Sequence, residues 1–295
     1  MNRKILITGG SGLLGQYLNI EAAKKNKILT LYGNHVGNCR EFKNTKVNIT
    51  NSGLMKEIFS SFEPDVVIHT AAITNPVPLP GQNPKDVYNV NVNATKNIAG
   101  LCDQFKAKLV YVSTDLVYAG YRGSMLKEDA KLIPASLYAE TKLMGEVKIK
   151  ETLENYLILR TALLYGFGLN HSRCHFHIMN DELKNGRPVK LFIDQYRTPI
   201  LLQEAAEIIV HLSQMDVVNE TINLGGAERV SRYELGEILC SVAAYDKFLL
   251  QKITMDEVSG LPKVEDVSLN TNKLQSLGFK QNTIEENISK IISVN

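Results

Sequence analysis

Close to the N-terminus a short apolar run, Ile5–Ile7, leads through Gly9-Gly10-Ser11-Gly12-Leu13-Leu14-Gly15 into an amphipathic stretch, Leu13–Lys25. A strand that turns through spaced glycines into a helix suits one physical task. The glycines allow a tight turn and close approach to a pyrophosphate, and the helix offers its first N–H groups to the phosphate charge. Gly9, Ser11, Gly12, Leu13, Leu14 and Gly15 are therefore expected to open a dinucleotide site.

The next 150 residues repeat the pattern. Apolar runs at Ile28–Leu31, Val66–His69, Leu109–Val112 and Leu157–Leu159 alternate with amphipathic stretches at Ser52–Phe62, Val87–Phe105 and Ser136–Thr152. Near-continuous apolar strands, each followed by a helix, imply a parallel sheet covered on both faces. The fold class expected is α/β, a doubly wound Rossmann-like parallel sheet with a smaller C-terminal substrate lobe.

After Arg160 the rhythm changes to a His- and Gly-rich loop (Gly166–His177), a strand at Val189–Ile193, a helix from Gln203 to Gln214, a strand at Thr221–Leu224 and a helix at Arg232–Ala244. Residues 1–160 are read as the dinucleotide-binding domain. Residues 161–295 are read as a substrate lobe interleaved with it, the cleft between them being the expected site.

With 33 basic against 31 acidic residues, nothing electrostatic points to nucleic acid. No apolar stretch approaches the roughly 18 residues of a membrane span. No leader-like segment precedes the first strand, and Cys39, Cys102, Cys174 and Cys240 are widely separated. A cytoplasmic protein with reduced thiols is expected. His171, Cys174, His175 and His177 crowd into seven residues, but no carboxylate pair or second cysteine at ligand spacing accompanies them. No metal is expected there; substrate contact is the alternative.

NAD-binding folds usually carry an acid at the end of the second strand for the ribose 2′-OH. Here that strand ends Leu31-Tyr32-Gly33-Asn34, with no acid between Glu21 and Glu41. His35 and Arg40 are candidates to face a 2′-phosphate, and Asn34 is a further cofactor-binding candidate, so NADP is expected, with NAD the alternative. Further on, Tyr138 and Lys142 are the chain's one Tyr-x-x-x-Lys pair. Four residues apart they share a helix face, and an ammonium beside a phenol favours its ionised form. Ser113 or Thr114, at the end of the strand Leu109–Val112, would hold a substrate oxygen beside Tyr138.

The glycine spacing, Thr70-Ala71-Ala72-Ile73-Thr74, Ser113–Tyr118, Tyr138–Glu146 and Leu159–Gly166 together resemble the dTDP-4-dehydrorhamnose reductase family of extended short-chain dehydrogenases. The resemblance implies Thr114, Tyr138 and Lys142 as catalytic triad, with Tyr138 and Lys142 also touching the cofactor. It places Asn48 and Ile49 near the adenine, and Ala71 and Ala72 beside the cofactor's middle. Asp115 and Thr161, within the matching motifs, are candidate substrate contacts, and Arg173 and Arg197 are favoured over Arg160 for a diphosphate. The implied reaction is NADPH-dependent reduction of the 4-keto group of a nucleotide-linked deoxysugar, as in dTDP-rhamnose biosynthesis. A sugar-nucleotide epimerase or dehydratase is one alternative; Thr114-Asp115-Leu116 offers a single carboxylate where dehydratases carry a pair. A regulatory subunit resembling the β subunit of methionine adenosyltransferase is the other. A homodimer is among the expected assemblies. Three departures stand out: the uncharged, proline-rich Asn75–Gly81, Gln16 where some members carry a metal-binding glutamate, and Asn48 where an aspartate is common.

Overall fold

The computed structural model describes residues 2–74 and 83–293, so the proline-rich departure at 75–81 lies outside the described residues. Six strands run parallel: β1 (Lys4–Thr8), β2 (Lys27–Tyr32), β3 (Asn44–Lys46), β4 (Val66–His69), β5 (Lys108–Thr114) and β6 (Tyr156–Thr161). Their spatial order is 3-2-1-4-5-6, and a seventh parallel strand, Glu220–Leu224, pairs with the outer edge of β6. This is the doubly wound order expected.

The crossovers are α1 (Leu13–Ala23), α2 (Ser52–Phe62), α3 (Pro84–Tyr88), α4 (Thr95–Phe105) and α5 (Leu137–Thr152). Beyond the sheet's sixth strand come α6 (His175–Lys184), α7 (Leu202–Gln214), α8 (Arg232–Ala243), α9 (Asn272–Ser276) and α10 (Ile284–Ile292). Alternate strand residues point to opposite faces. Ile5, Ile7, Ile68 and Leu159 pack with Leu14 and Leu18 of α1 and with Ala205 and Ile209 of α7. Leu6, Leu29, Val67 and Leu109 meet Met55 and Phe59 of α2, Ile98 of α4 and Ile149 of α5. Each such aliphatic side chain contributes about 1.5–3 kcal/mol when fully buried. Two covered faces explain why the strands read as unbroken apolar runs.

The second half does not stand aside from this core. Strand Glu220–Leu224 extends the sheet, and α7 packs beside α1 on one of its faces. β6 itself runs across position 160, so a cut there divides the sequence more cleanly than the layers. A separate cluster, with Phe176, Met179, Leu191, Leu235, Leu239 and Ile288, unites α6, α8, α10 and the strand Val189–Phe192. That strand pairs in parallel with Leu250–Ile253, a half-exposed segment whose polar residues hid it in the sequence.

The expected helix at Val87–Phe105 is longer and irregular. It begins at Pro84, where the Asn83 side chain accepts from the Lys85 N–H, and a π-helical turn at Asn89–Ala94 separates α3 from α4. The turn leaves Asn91 buried at 1% exposure. Among the described residues no helix is long and apolar enough to cross a membrane.

Candidate active site

The winding reverses between β1 and β4, so the loops at the strands' carboxyl ends diverge there and open a crevice. The resulting cleft encloses about 1340 Å³. Gly9, Ser11, Gly12, Leu13, Leu14 and Gly15 of the glycine turn form its floor, and Asn34, Asn48, Ile49, Ala71 and Ala72 also line it. Thr114, Asp115, Tyr138, Lys142, Thr161 and Arg197 line the rest, together with Arg232.

The floor fits a pyrophosphate. Gly9 sits at φ +70°, and a β-carbon there would lie 2.7 Å from the Ala71 nitrogen. At Gly15 a β-carbon would lie 2.1 Å from the Gly9 carbonyl oxygen, so α1 can approach the turn only without one. Gly12 caps α1 with no side-chain hydrogen bond, and the first turn carries no acid. The leading N–H groups are thus left for an anion.

At the ribose end the structure separates the candidates. Asn34 lines the cleft, but His35 and Arg40 do not. The His35 ring stacks against His171 with centroids 4.7 Å apart. The Arg40 guanidinium donates to the Asn170 side-chain oxygen (2.8 Å) and to the Gly37 carbonyl (3.1 Å). Both side chains are engaged in holding the loop that follows Gly166. Gln16 secures the same loop from beneath: its amide donates to the Leu169 carbonyl and the Ser172 hydroxyl and accepts from Asn170 and the Asn38 N–H. Fully buried, it is a staple between loop and helix.

The histidines and cysteine of that loop go separate ways. The Cys174 thiol donates to the Gly166 carbonyl, and the His177 Nδ1 accepts from the Gly168 N–H. Only Cys174 and His175 of the four line the cleft. Among the described residues no group of three or more metal-ligating side chains is assembled.

α5 starts where the Ser136 hydroxyl accepts from the Ala139 N–H. Tyr138, Lys142 and Glu146 then follow at intervals of four on one face. Lys142 is 2% exposed, with its Nζ 3.9 Å from the centre of the Tyr111 ring. Burial lowers its pKa to about 7, against the opposing pull of Glu146. The half-buried Tyr138 phenol moves the other way from the sequence expectation. Burial, and then the charge of Asp115, push its pKa above the ordinary value, and a hydrogen bond with Thr114 only partly opposes them. Desolvation and Asp115 together outweigh Thr114, so Tyr138 holds its proton at neutral pH.

The depressed lysine has a thermodynamic consequence. Between about pH 7 and its unfolded value of 10.5, the unfolded chain keeps a proton that the folded chain has released. Stability linked to Lys142 therefore rises with pH across that window. Urea denaturation at pH 7 and pH 9 should show Lys142→Met with a smaller gain over the interval than the wild type.

Ser113 and Thr114 both line the cleft but differ in their partners. The Ser113 hydroxyl donates to Glu146 at 2.6 Å, inside a buried network in which Arg160 pairs with Glu146 at 2.8 Å and donates to the Tyr118 hydroxyl and the Glu128 carbonyl. Thr114 remains at the cleft, donating to Asp115 at 3.1 Å and hydrogen-bonding Tyr138. Arg160 is structural. Removing Glu146 would strand its guanidinium, and Glu146→Ala should cost about 3–5 kcal/mol, read by chemical denaturation.

Two polar residues were missed in the sequence. Asn91, brought inward by the π turn, donates to the Ile73 carbonyl and the Thr141 hydroxyl and accepts from the Ile73 N–H, tying the segment after β4 to α5. Its signal was a polar residue on the apolar stripe of an expected helix. The other is Arg232, first residue of α8, a cation at the positive end of a helix. Its Nε donates to Gln195 at 3.0 Å, and its buried Nη1 has no partner.

The two arginines favoured for a diphosphate fare less well. Arg173 is outside the cleft lining, in an ion pair with Asp181. Arg197 lines the cleft but is 4% exposed, and its terminal nitrogens donate to the carbonyls of Tyr196, Val264 and Glu265. Its Nε stands 3.7 Å from Asp115, whose carboxyl burial pushes upward in pKa. Thr161 lines the cleft, its hydroxyl 3.5 Å from the Leu159 carbonyl.

The glycine turn, the reversed strand order and the Thr–Tyr–Lys set around one cleft are those of an extended short-chain dehydrogenase. Residues 3–294 match the family model described as RmlD substrate binding domain, and the chain belongs to that family, the family of dTDP-4-dehydrorhamnose reductase. It is similar to methionine adenosyltransferase 2 subunit beta of Pongo abelii, 27% identical over 291 residues, covering 96% of this chain and 84% of that one. It is also similar to dTDP-4-dehydrorhamnose reductase of Aggregatibacter actinomycetemcomitans, 27% identical over 256 residues, covering 85% and 81%. Among solved structures, dTDP-4-dehydrorhamnose reductase of Bacillus anthracis in complex with NADP superposes with a TM-score of 0.85 at 24% identity, covering 100% and 99%.

Proposed function

We propose that the protein is an NADP-dependent reductase acting on the 4-keto group of a nucleotide-linked deoxysugar. The observation that carries this reading is that Thr114, Tyr138 and Lys142 line the same cleft as a glycine turn that suits a dinucleotide. A bound nicotinamide cofactor supplies a hydride. The chain's own residues do the rest. Thr114 orients the substrate carbonyl by a hydrogen bond, Tyr138 delivers its phenolic proton to the developing alkoxide, and Lys142 positions the cofactor's ribose from beneath. A phenol that retains its proton suits this direction of reaction.

Gly9, Ser11, Gly12 and Gly15 would hold the pyrophosphate, and Asn34, Asn48 and Ile49 the adenosine half. NADP is favoured over NAD because no acid stands at the end of β2 to repel a 2′-phosphate. With His35 and Arg40 engaged elsewhere, the preference rests on that missing acid and Asn34, and NAD is not barred. Four free cysteines are in keeping with a cytoplasmic protein. Titrating NADPH and NADH by fluorescence should give the lower Kd for NADPH. Tighter binding of NADH would refute the preference.

A second reading is favoured by the 96% coverage of this chain in its match to the methionine adenosyltransferase β subunit. In that case the protein is a nucleotide-binding regulatory subunit. Affinity purification followed by size-exclusion chromatography separates the two. A stoichiometric methionine adenosyltransferase partner, with no turnover of any 4-keto sugar nucleotide, would replace the reductase reading.

A further inference from the structure

Arg232 is an expensive residue to keep where it is. It opens α8, so its charge faces the positive end of a helix, and Arg197 lies close enough to repel it. Burial and then Arg197 hold its pKa down to about 10. Among the described residues it joins no ion pair; its one hydrogen bond, to Gln195, leaves the buried Nη1 without an acceptor. An unpaired buried guanidinium costs several kcal/mol unless a counter-charge arrives, and a buried donor without a partner calls for a specific explanation.

The surroundings say what counter-charge is missing. Arg197, Arg232 and Lys190 line this wall of the cleft, and Asp115, the acid among the lining residues, stands 3.7 Å from Arg197. Arg197 has given its terminal donors to backbone carbonyls, and Arg173 is paired outside the cleft. Among the described residues Arg232 therefore keeps guanidinium donors that no protein acceptor takes up, Nη1 being covered until the side chain turns to a ligand, and a guanidinium matches paired phosphate oxygens.

We infer that Arg232 is the anion-holding side chain of the cleft and takes the diphosphate of a nucleoside-diphosphate ligand, with Arg197 as a structural support behind it. The choice of a diphosphate rests on the sugar-nucleotide reading; the presence of an anion subsite rests on the unpaired guanidinium alone. Calorimetry on the NADPH-loaded protein, with dTDP, UDP and inorganic pyrophosphate as probes, tests it. Arg232→Ala should weaken binding of the nucleoside diphosphate about 10- to 100-fold, the range of a hydrogen bond to a charged group. Arg232→Lys should fall between, while Arg173→Ala binds like wild type. NADPH affinity should not change.

A second readout excludes a merely structural role. Because Arg232 joins no ion pair in the ligand-free protein, and Asp115 offsets its charge only from beyond ion-pair distance, Arg232→Ala should match or exceed the wild-type Tm. Unchanged nucleoside-diphosphate affinity in Arg232→Ala, a lowered Tm without loss of affinity, or wild-type protein that binds none of the probes would overturn the inference. Arg232-dependent binding without turnover of any sugar would sustain it and remove the reductase reading. Turnover with a KM indifferent to Arg232→Ala would do the reverse.

Discussion

Tyr138→Phe should lower kcat by about 10²–10⁴-fold, the usual value of a positioned general acid, while leaving NADPH affinity within about twofold of wild type. The hydroxyl lost is the group that gives its proton to the alkoxide. The ring stays, and with it the packing at the start of α5. The elevated phenol pKa strengthens this expectation, since the residue enters the reaction protonated across the neutral range. Stopped-flow reduction and cofactor titration on the same preparation separate the two effects. A Phe variant retaining more than about a tenth of the wild-type rate would fall short of the smallest general-acid contribution and remove Tyr138 from the chemistry.

Gly15→Ala should strike both the fold and the cofactor site with a single methyl group. Its β-carbon would lie 2.1 Å from the Gly9 carbonyl oxygen and 2.8 Å from the Gly10 Cα. Both are backbone atoms of the turn itself, so relief requires α1 to move away from β1. Overpacking of this kind costs about 1–3 kcal/mol, and the displaced turn is the floor that the pyrophosphate would meet. NADPH affinity should fall on the order of 100-fold, with a lower Tm. Gly100→Ala is the control: in α4 its β-carbon meets nothing closer than the Thr152 methyl at 4.0 Å. Equal cofactor affinity in the two variants would show that the turn does not carry the binding.

Much of the site was legible because its elements are local. A glycine turn after an apolar run, and Tyr138 with Lys142 one helical turn apart, are patterns that survive without tertiary context. The strands of the sheet were legible because both faces are covered, which forces unbroken apolar runs. β3 and the strand Leu250–Ile253 escaped because one is three residues long and the other is half-exposed and polar. The fate of the arginines was not local. Arg160, Arg173, Arg197 and Arg232 look alike in sequence, and only the fold reveals which are paired with Glu146, Asp181 or backbone carbonyls and which is left open. The same holds for His35 and Arg40. Their proximity to the end of β2 was right, but the loop after Gly166, distant in sequence, takes up both side chains. The direction of the phenol pKa escaped for a related reason: the neighbouring lysine was legible, whereas the burial and the Asp115 charge that raise it depend on the fold.

Turnover is the most direct test of the whole account. NADPH oxidation should be followed at 340 nm with dTDP-, GDP- and UDP-linked 4-keto-6-deoxyhexoses, using wild type and Tyr138→Phe side by side. The wild type should oxidise NADPH with at least one of these sugars, and the Phe variant should lose that activity. No oxidation with any sugar by a wild-type protein that binds NADPH would contradict the account.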